Sequence, residues 1–184
     1  TMVEMMPGAV STEDEEISAI LEKELKKRKI KLIANIKVEK IEIKENSVLT
    51  FLSDGRTIEA EKVLVSIGRA INSKDIGLEN IGVKTGQRGE IIVNDKMETS
   101  IKGVYAVGDV TGGIMLAHMA SKEGMIAAEN AVGGDAVINR SVVPSAIFTS
   151  PEIASVGLRE KQALDKGYRI KIGRFQFRAL GKAP

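Results

Sequence analysis

The sequence contains no cysteine and only one histidine, His118. Without cysteine, these 184 residues cannot form a disulfide, a thiolate metal site or a redox-active thiol pair. A single histidine excludes a histidine-rich metal site and leaves one imidazole as a candidate general base. Since a lone histidine without an evident carboxylate partner is more often structural, we favour a backbone role for His118.

Aromatic residues are scarce, and neither charge is in large excess. Aromatic residues make up 3% of the chain and the net charge is +2, which argues against nucleic acid as a partner. No apolar run approaches the roughly 20 residues that span a bilayer, and the first residues lack a signal-peptide pattern. We therefore expect a cytoplasmic protein that does not bind a membrane.

The first third of the chain has the pattern of an α/β domain. Residues 1–5 predict a strand that no turn or cap precedes, which suggests a piece of a longer protein. Ser11 or Thr12 can cap the charged helix that follows, because Glu15 or Glu16 supplies a capping-box partner. After the helix come short alternating strands, which predict a small antiparallel meander with a turn at Asp54-Gly55, and then a continuous apolar strand over 62–67.

The remainder contains two plausible domain crossings. Residues 70–89 form a polar, glycine-dotted connector, and a second crossing is expected near Pro144. Between and beyond them, the pattern predicts strands at 90–93 and 104–107, a helix that ends near 132, two short strands, a short helix and a strand over 168–177.

Gly108-Asp109 follows a predicted buried strand, at the edge where open α/β sheets bind ligands. A carboxylate at this position can accept hydrogen bonds from the hydroxyls of a ribose or ribitol chain. The alternative is an ordinary helix N-cap. The glycine pair Gly112-Gly113 favours a ligand, since glycine allows close approach to the backbone.

The helix that follows begins with Met115, Leu116, Ala117 and His118. The amides of a first helical turn have no intrahelical acceptor and can donate to an electron-rich ligand. A flavin suits such a site, because its reduction places negative charge on the N1–C2=O edge, which a helix N-terminus stabilises. A water-solvated helix start is the alternative.

Two further residues are weaker candidates. Glu4 ends the opening strand, where a doubly wound fold keeps the acid that binds an adenosine ribose, although a surface charge is the better explanation of a single glutamate. Gly68 ends the 62–67 strand, where a nicotinamide or adenine could lie against bare backbone; a turn glycine is the alternative.

With these residues in view, the chain resembles the dihydrolipoamide dehydrogenases of the pyridine nucleotide–disulfide oxidoreductase family, nearly from end to end. The most specific marker is Asp109 together with Met115-Leu-Ala-His118; Gly68-Arg69 is weaker because many flavoproteins share it. The other markers are Val3-Glu4, Ser66-Ile67, Val104-Tyr-Ala-Val-Gly108, Glu123-Gly124, Val143-Pro144, Phe148 to Glu152, and Ser155-Val-Gly157.

The resemblance implies an enzyme that reoxidises dihydrolipoamide and passes electrons through a cysteine pair and FAD to NAD. Asp109 would bind the FAD ribitol region, and the backbone of residues 115–118 would hold the isoalloxazine. Glu4 would bind the NAD ribose, with Val38 and Gly68 also lining the nucleotide site. The implied partners are the lipoyl group of a 2-oxo acid dehydrogenase or glycine cleavage complex and a second copy of the chain.

The resemblance also implies a division of the chain. Residues 1–70 would be the later part of a Rossmann-like NAD domain with its meander, residues 71–143 a returning FAD-domain segment, and residues 144–184 the start of an α+β interface domain. The family's redox cysteines, glycine-rich fingerprints and catalytic base are not among these residues, so we assign no catalytic residue. A related disulfide reductase, an NADH oxidase and a non-catalytic nucleotide-binding or dimerisation module remain alternatives.

Overall fold

The computed structural model describes residues 1–181, which form a mixed α/β structure in agreement with the predicted class. Its α-helices are α1 (Glu15–Lys27), α2 (Ala117–Ala131) and α3 (Glu160–Asp165). Its strands are β1 (Met2–Val3), β2 (Leu32–Ile33), β3 (Val38–Ile43), β4 (Val48–Leu52), β5 (Thr57–Ala60), β6 (Ser145–Ile147) and β7 (Ile153–Ser155).

The chain divides into two compact units. The first contains Thr1–Ile43, Leu49–Glu59 and the residues from Ala146 onward, and the second contains Lys44–Val48 and Ala60–Ser145. These units are defined by contacts within the chain, whereas the three-part division predicted above follows the family resemblance, and that division stays a prediction. Its last three residues, 182–184, lie outside the described part of the chain.

In the first unit, β1 and β2 pair in parallel, with Met2 beside Leu32 and Val3 beside Ile33. Parallel strands need a crossover connection, which α1 supplies. The helix turns Leu21 inward, where that side chain is buried. The result is a small β–α–β arrangement, in which the strand and the helix were predicted from the sequence and the parallel pairing was not.

The start of α1 differs from the prediction. The helix begins at Glu15, with Asp14 and not Ser11 or Thr12 at the N-cap position. The residues before it fold back along the helix, because the Glu22 side chain accepts a hydrogen bond from the Ala9 amide at 3.2 Å. This fold-back requires glycine at position 8, since a Cβ there would lie 2.5 Å from the Ser18 hydroxyl oxygen.

The predicted meander is confirmed. Strands β3, β4 and β5 lie in that order in one sheet, and β4 buries Thr50 and Leu52. Gly55 makes the predicted turn with a φ of +84°, and its amide donates to the Leu52 carbonyl at 3.0 Å.

Four predicted strands are wrong. Within residues 1–181, neither 62–67 nor 168–177 forms a strand, and the side chains of Leu64 and Ile67 are 90% and 94% exposed. An apolar run becomes a buried strand only where a neighbouring strand and a covering layer are available. The 90–93 and 104–107 segments similarly contribute only isolated bridges, Thr85 with Ile91 and Glu98 with Tyr105.

The second unit is built around α2. Its core combines Met119, Ile126 and Ala127 of the helix with Met97 and Ile138. Met97 lies in a tight turn with a φ of +65°. Its side chain is completely buried and packs against the helix.

The end of α2 is fixed by polar contacts. The Asn130 amide group donates to the Lys96 carbonyl at 3.0 Å and to the Ala136 carbonyl at 2.8 Å, and its oxygen accepts from the Ala136 amide. Lys96 also pairs with Asp135, and its hydrogen bond lowers the pKa of that carboxyl. These contacts hold the segment after α2 against the Met97 turn.

Replacing Met97 by Ala is expected to destabilise the second unit by about 2–5 kcal/mol, because a fully buried side chain leaves a cavity. Met125→Ala is the matched control: that side chain lies on α2 and is 66% exposed, and its loss should change stability by less than about 0.5 kcal/mol. Denaturant unfolding of both variants checks this. Equal midpoints for the two would contradict the core described here.

Candidate functional site

The segment singled out by the sequence forms a tight turn directly before α2. Residues Gly108–Thr111 make one turn of 3-10 helix. The Thr111 hydroxyl donates to the Gly108 carbonyl at 2.9 Å, and the Gly112 amide donates to the Asp109 carbonyl at 3.0 Å. These bonds close the turn, and the Asp109 side chain is 52% exposed, so its carboxylate is available to a ligand.

Two glycines let this turn pack closely. Gly108 has a φ of +78°, and a Cβ at this position would lie 3.3 Å from the Ala120 Cβ on α2. Gly112 has a φ of +70°, and its Cβ would lie 2.7 Å from the Glu90 Cβ. Ala120, one of the small residues on α2, therefore leaves room for the turn to pack against the helix.

The start of α2 lies next to this turn. Leu116 occupies the N-cap position, and the first residues of the helix, Ala117 and His118, are exposed. The Leu116 amide already donates to the Ile114 carbonyl at 2.9 Å. The amides of the first helical residues have no intrahelical acceptors and carry the positive end of the helix dipole. Hydrogen-bond donors and a carboxylate acceptor therefore occur within one short stretch of the second unit.

The imidazole of His118 already has a partner. Its Nε2 lies 2.9 Å from the carbonyl oxygen of Pro144. A carbonyl only accepts, so Nε2 carries the proton and donates it. This contact gives the side chain a structural role that is compatible with the backbone role assigned to His118 from the sequence.

Arg69, which the sequence analysis treated only as part of a marker, lies beside Asp109. The Arg69 Nη1 and Asp109 Oδ2 atoms are 3.8 Å apart, and both side chains are largely exposed. An exposed pair of this kind contributes little to stability, so it leaves Asp109 free to bind a ligand. Through Arg69 the structure brings the Gly68 segment to the Asp109 turn. Gly68 has a φ of +114°, and the space where its Cβ would stand is open.

Sequence reasoning did not assign a role to Glu123, which was only part of a marker. The side chain is 2% exposed, and its Oε2 accepts a hydrogen bond from the Gly108 amide at 2.8 Å. Its other oxygen lies 3.8 Å from Arg140 Nη2. The signal that could have found it is a charged residue on the face of the helix that also carries the core residue Met119.

The two remaining candidates, Glu4 and Val38, lie in the first unit. Glu4 follows β1, and its Oε1 accepts a hydrogen bond from the Met6 amide at 2.8 Å. A carboxylate has further acceptor positions, so ribose hydroxyls can still bind. Val38 begins β3 with its side chain exposed, and the Glu4 carbonyl accepts from the Ile36 amide two residues before it, at 3.1 Å.

The donors and acceptors of the second unit fit a flavin. A half-exposed carboxylate meets the need of sugar-type hydroxyls for an acceptor, and the α2 amides meet the need of the flavin's carbonyl edge for donors. Over residues 1–181, no group of three or more histidine, cysteine, aspartate or glutamate side chains is placed to hold a metal ion. No helix in this range is long and apolar enough to cross a membrane.

Two family profiles match the sequence. Residues 1–124 match the pyridine nucleotide-disulphide oxidoreductase family, and residues 143–184 match the dimerisation domain of the same family. The second match supports assembly with another copy of the chain.

Curated relatives match over the whole chain. The dihydrolipoyl dehydrogenase of Thermus scotoductus is 42% identical over 188 residues, and that of Bacillus subtilis is 43% identical over 189 residues. The chain spans 41% and 40% of the length of these two relatives.

Solved structures show the same architecture. LpdA from Mycobacterium tuberculosis aligns with a TM-score of 0.83 at 32% identity, covering 90% of this chain and 36% of that one. The flavoprotein disulfide reductase RclA from Escherichia coli aligns with a TM-score of 0.84 at 25% identity, covering 98% of this chain and 42% of that one. These structures confirm the fold predicted from the sequence.

The name of the family refers to a pyridine nucleotide, and RclA is named as a flavoprotein. These are the two cofactor classes that the sequence predicts. The family profile covers more than half of this chain, and the similarity to dihydrolipoyl dehydrogenases extends over all of it. Both findings lead to the same assignment. The chain belongs to the pyridine nucleotide-disulphide oxidoreductase family.

Proposed function

We propose that this chain is part of an FAD- and NAD-dependent dihydrolipoamide dehydrogenase. Such an enzyme reoxidises dihydrolipoamide, and electrons pass through a redox disulfide and FAD to NAD. The observation that carries the proposal is the Asp109 turn packed on the start of α2, which combines the acceptor and the donors that a flavin requires. The similarity to dihydrolipoyl dehydrogenases over the whole chain adds independent support.

In this proposal Asp109 binds the hydroxyls of the FAD ribitol region. The 3-10 turn already orders the Asp109 backbone, so only the conformational freedom of the side chain is lost on binding. The adjacent Arg69 guanidinium limits repulsion between Asp109 and other negative groups of the cofactor, because the pair is close enough to interact.

The amides of residues 115–118 hold the isoalloxazine. Bound flavin supplies the two-electron chemistry between a thiol pair and the nicotinamide. The start of α2 favours negative charge near its amides and so favours the reduced cofactor. No base role is assigned to His118, whose Nε2–H donates to the Pro144 carbonyl and orients the side chain.

Three residues are assigned to NAD binding, Glu4 and Val38 in the first unit and Gly68 in the second. Glu4 binds the adenosine ribose of NAD through its carboxylate, and the exposed Val38 lines the same nucleotide site. Gly68 offers bare backbone with open space where a side chain would stand. A glutamate at position 4 disfavours the extra phosphate of NADP through charge repulsion.

The partners follow from the same proposal. The substrate is the lipoyl group of a 2-oxo acid dehydrogenase or glycine cleavage complex, and the active form is a homodimer assembled through residues that match the dimerisation domain. The cytoplasm is the proposed location. These 184 residues contain no cysteine, so the disulfide exchange is assigned to other parts of the protein.

A second candidate is a different flavoprotein disulfide reductase, which the structural similarity to RclA favours. A steady-state assay with dihydrolipoamide and NAD separates the two. Turnover with this pair supports the first candidate, whereas flavin reduction by NADH without dihydrolipoamide turnover supports the second.

Asp109→Ala in the full-length protein is expected to raise the Kd for FAD about 10- to 100-fold, because a charged hydrogen bond typically contributes about 1.5–3 kcal/mol. Titration of flavin-free protein with FAD measures this. Asp135→Ala is the matched control, since Asp135 is an exposed aspartate beyond the other end of α2. Equal FAD affinity in the two variants would remove Asp109 from the site.

Glu4→Ala is expected to raise the Kd for NADH about tenfold and to leave the FAD content unchanged, because the variant loses a charged acceptor for the ribose. Glu45→Ala, in the exposed turn between β3 and β4, is the control. Fluorescence titration with NADH measures both. If Glu4→Ala binds NADH as tightly as the control, the ribose contact is wrong.

A further inference from the structure

Glu123 is the one carboxylate on α2 that is almost fully buried, and the flavin contacts proposed above make no use of it. At 2% exposure it cannot itself reach a ligand on the surface. Its contact across 15 residues is with the backbone of the Asp109 turn, where Oε2 accepts from the Gly108 amide at 2.8 Å. The carboxylate is thus positioned to act through the turn.

The Gly108 amide needs such an acceptor. It is the first donor of a 3-10 turn and therefore has no carbonyl of that turn to bind. Gly108 is partly buried against Ala120, which restricts access of water to the amide. A buried donor without an acceptor is costly, so removal of the Glu123 oxygen would favour a rearranged turn.

The charge of Glu123 is balanced inside the same unit. Arg140 Nη2 lies 3.8 Å from Glu123 Oε1, and Arg140 Nη1 donates to Asp95 Oδ1 at 3.0 Å. Arg140 also contacts the Met97 sulfur at 3.4 Å, above the core. A buried charge with a partner is tolerated, whereas a buried charge without one is strongly destabilising. The turn is therefore connected to the Met97 core through two charged side chains.

We propose that Glu123 is a positioning residue for cofactor binding: by holding the Gly108 amide, it fixes the turn that presents the next residue, Asp109, to the flavin. This inference rests on the proposed function, since it assumes that Asp109 binds FAD. It adds a residue that never touches the cofactor and still determines how tightly the cofactor is held.

Three variants of the full-length protein test the proposal. Glu123→Met keeps the approximate side-chain volume but removes the acceptor, whereas Glu123→Gln keeps both the volume and an acceptor oxygen. Asn130→Ala is the matched control, because Asn130 is another buried polar residue two turns along α2 whose partners lie away from the Asp109 turn.

Flavin-free protein is titrated with FAD at a temperature at which all variants are folded. Glu123→Met is expected to raise the Kd for FAD at least tenfold, Glu123→Gln less than threefold, and Asn130→Ala not at all. In an Asp109→Ala background, Glu123→Met should add less than a threefold further loss, because its effect passes through Asp109. A merely structural role would instead add its full effect in both backgrounds.

Hydrogen exchange of the Gly108 amide provides a readout without flavin. The amide is expected to exchange at least tenfold faster in Glu123→Met than in the unmodified protein, and at an unchanged rate in Asn130→Ala. If Glu123→Met does not fold, the unmodified protein and Glu123→Gln still test the proposal. The proposal is overturned if the Gly108 amide of the unmodified protein exchanges as fast as an unprotected amide. It is also overturned if Glu123→Gln binds FAD ten times more weakly than the unmodified protein.

The outcomes separate this inference from the proposed function. If Asp109→Ala weakens FAD binding and Glu123→Met does not, the positioning role is wrong and the flavin site stands. If the unmodified protein binds no FAD, the proposed function fails and the inference fails with it.

Discussion

The hydrogen bond from the Gly108 amide to the buried Glu123 carboxylate is the contact on which the candidate site depends. It joins the turn that carries Asp109 to the helix whose first amides complete the donor set. Glycine at position 108 favours this close approach, because it has a φ of +78° and a Cβ there would lie 3.3 Å from the Ala120 Cβ. A carboxylate acceptor and a group of helix amides are thereby held within one continuous stretch of the second unit, a geometry that suits a large polar cofactor.

The same helix links this site to the core. One face of α2 packs on Met97 and Ile138, and Asn130 anchors its far end to the carbonyls of Lys96 and Ala136. Arg140 then connects the Met97 turn with Glu123. Since buried side chains are close-packed, a change at Met97 would reach the turn through Arg140 and Glu123. The Asn130 contacts act only on the far end of the helix.

Sequence patterns predicted the parts whose signals are local. The meander follows from strict alternation and the Asp54-Gly55 turn, and the long helix follows from its spacing and the terminal glycines. The strand expected at 62–67 did not form within the described residues, because its burial depends on neighbours that a local pattern does not specify. Asp109 and the first turn of α2 were chosen as site residues from the sequence, and their contacts with a flavin stay predictions. Arg69 and Glu123 were not assigned roles, because their contacts join residues 40 and 15 positions apart.

A crystal structure of the full-length protein with its bound cofactor tests the central claim most directly. The account predicts FAD with a ribitol hydroxyl within hydrogen-bond distance of the Asp109 carboxylate and the isoalloxazine edge facing the amides of residues 115–118. Flavin bound elsewhere, with Asp109 facing only solvent and Arg69, would contradict it.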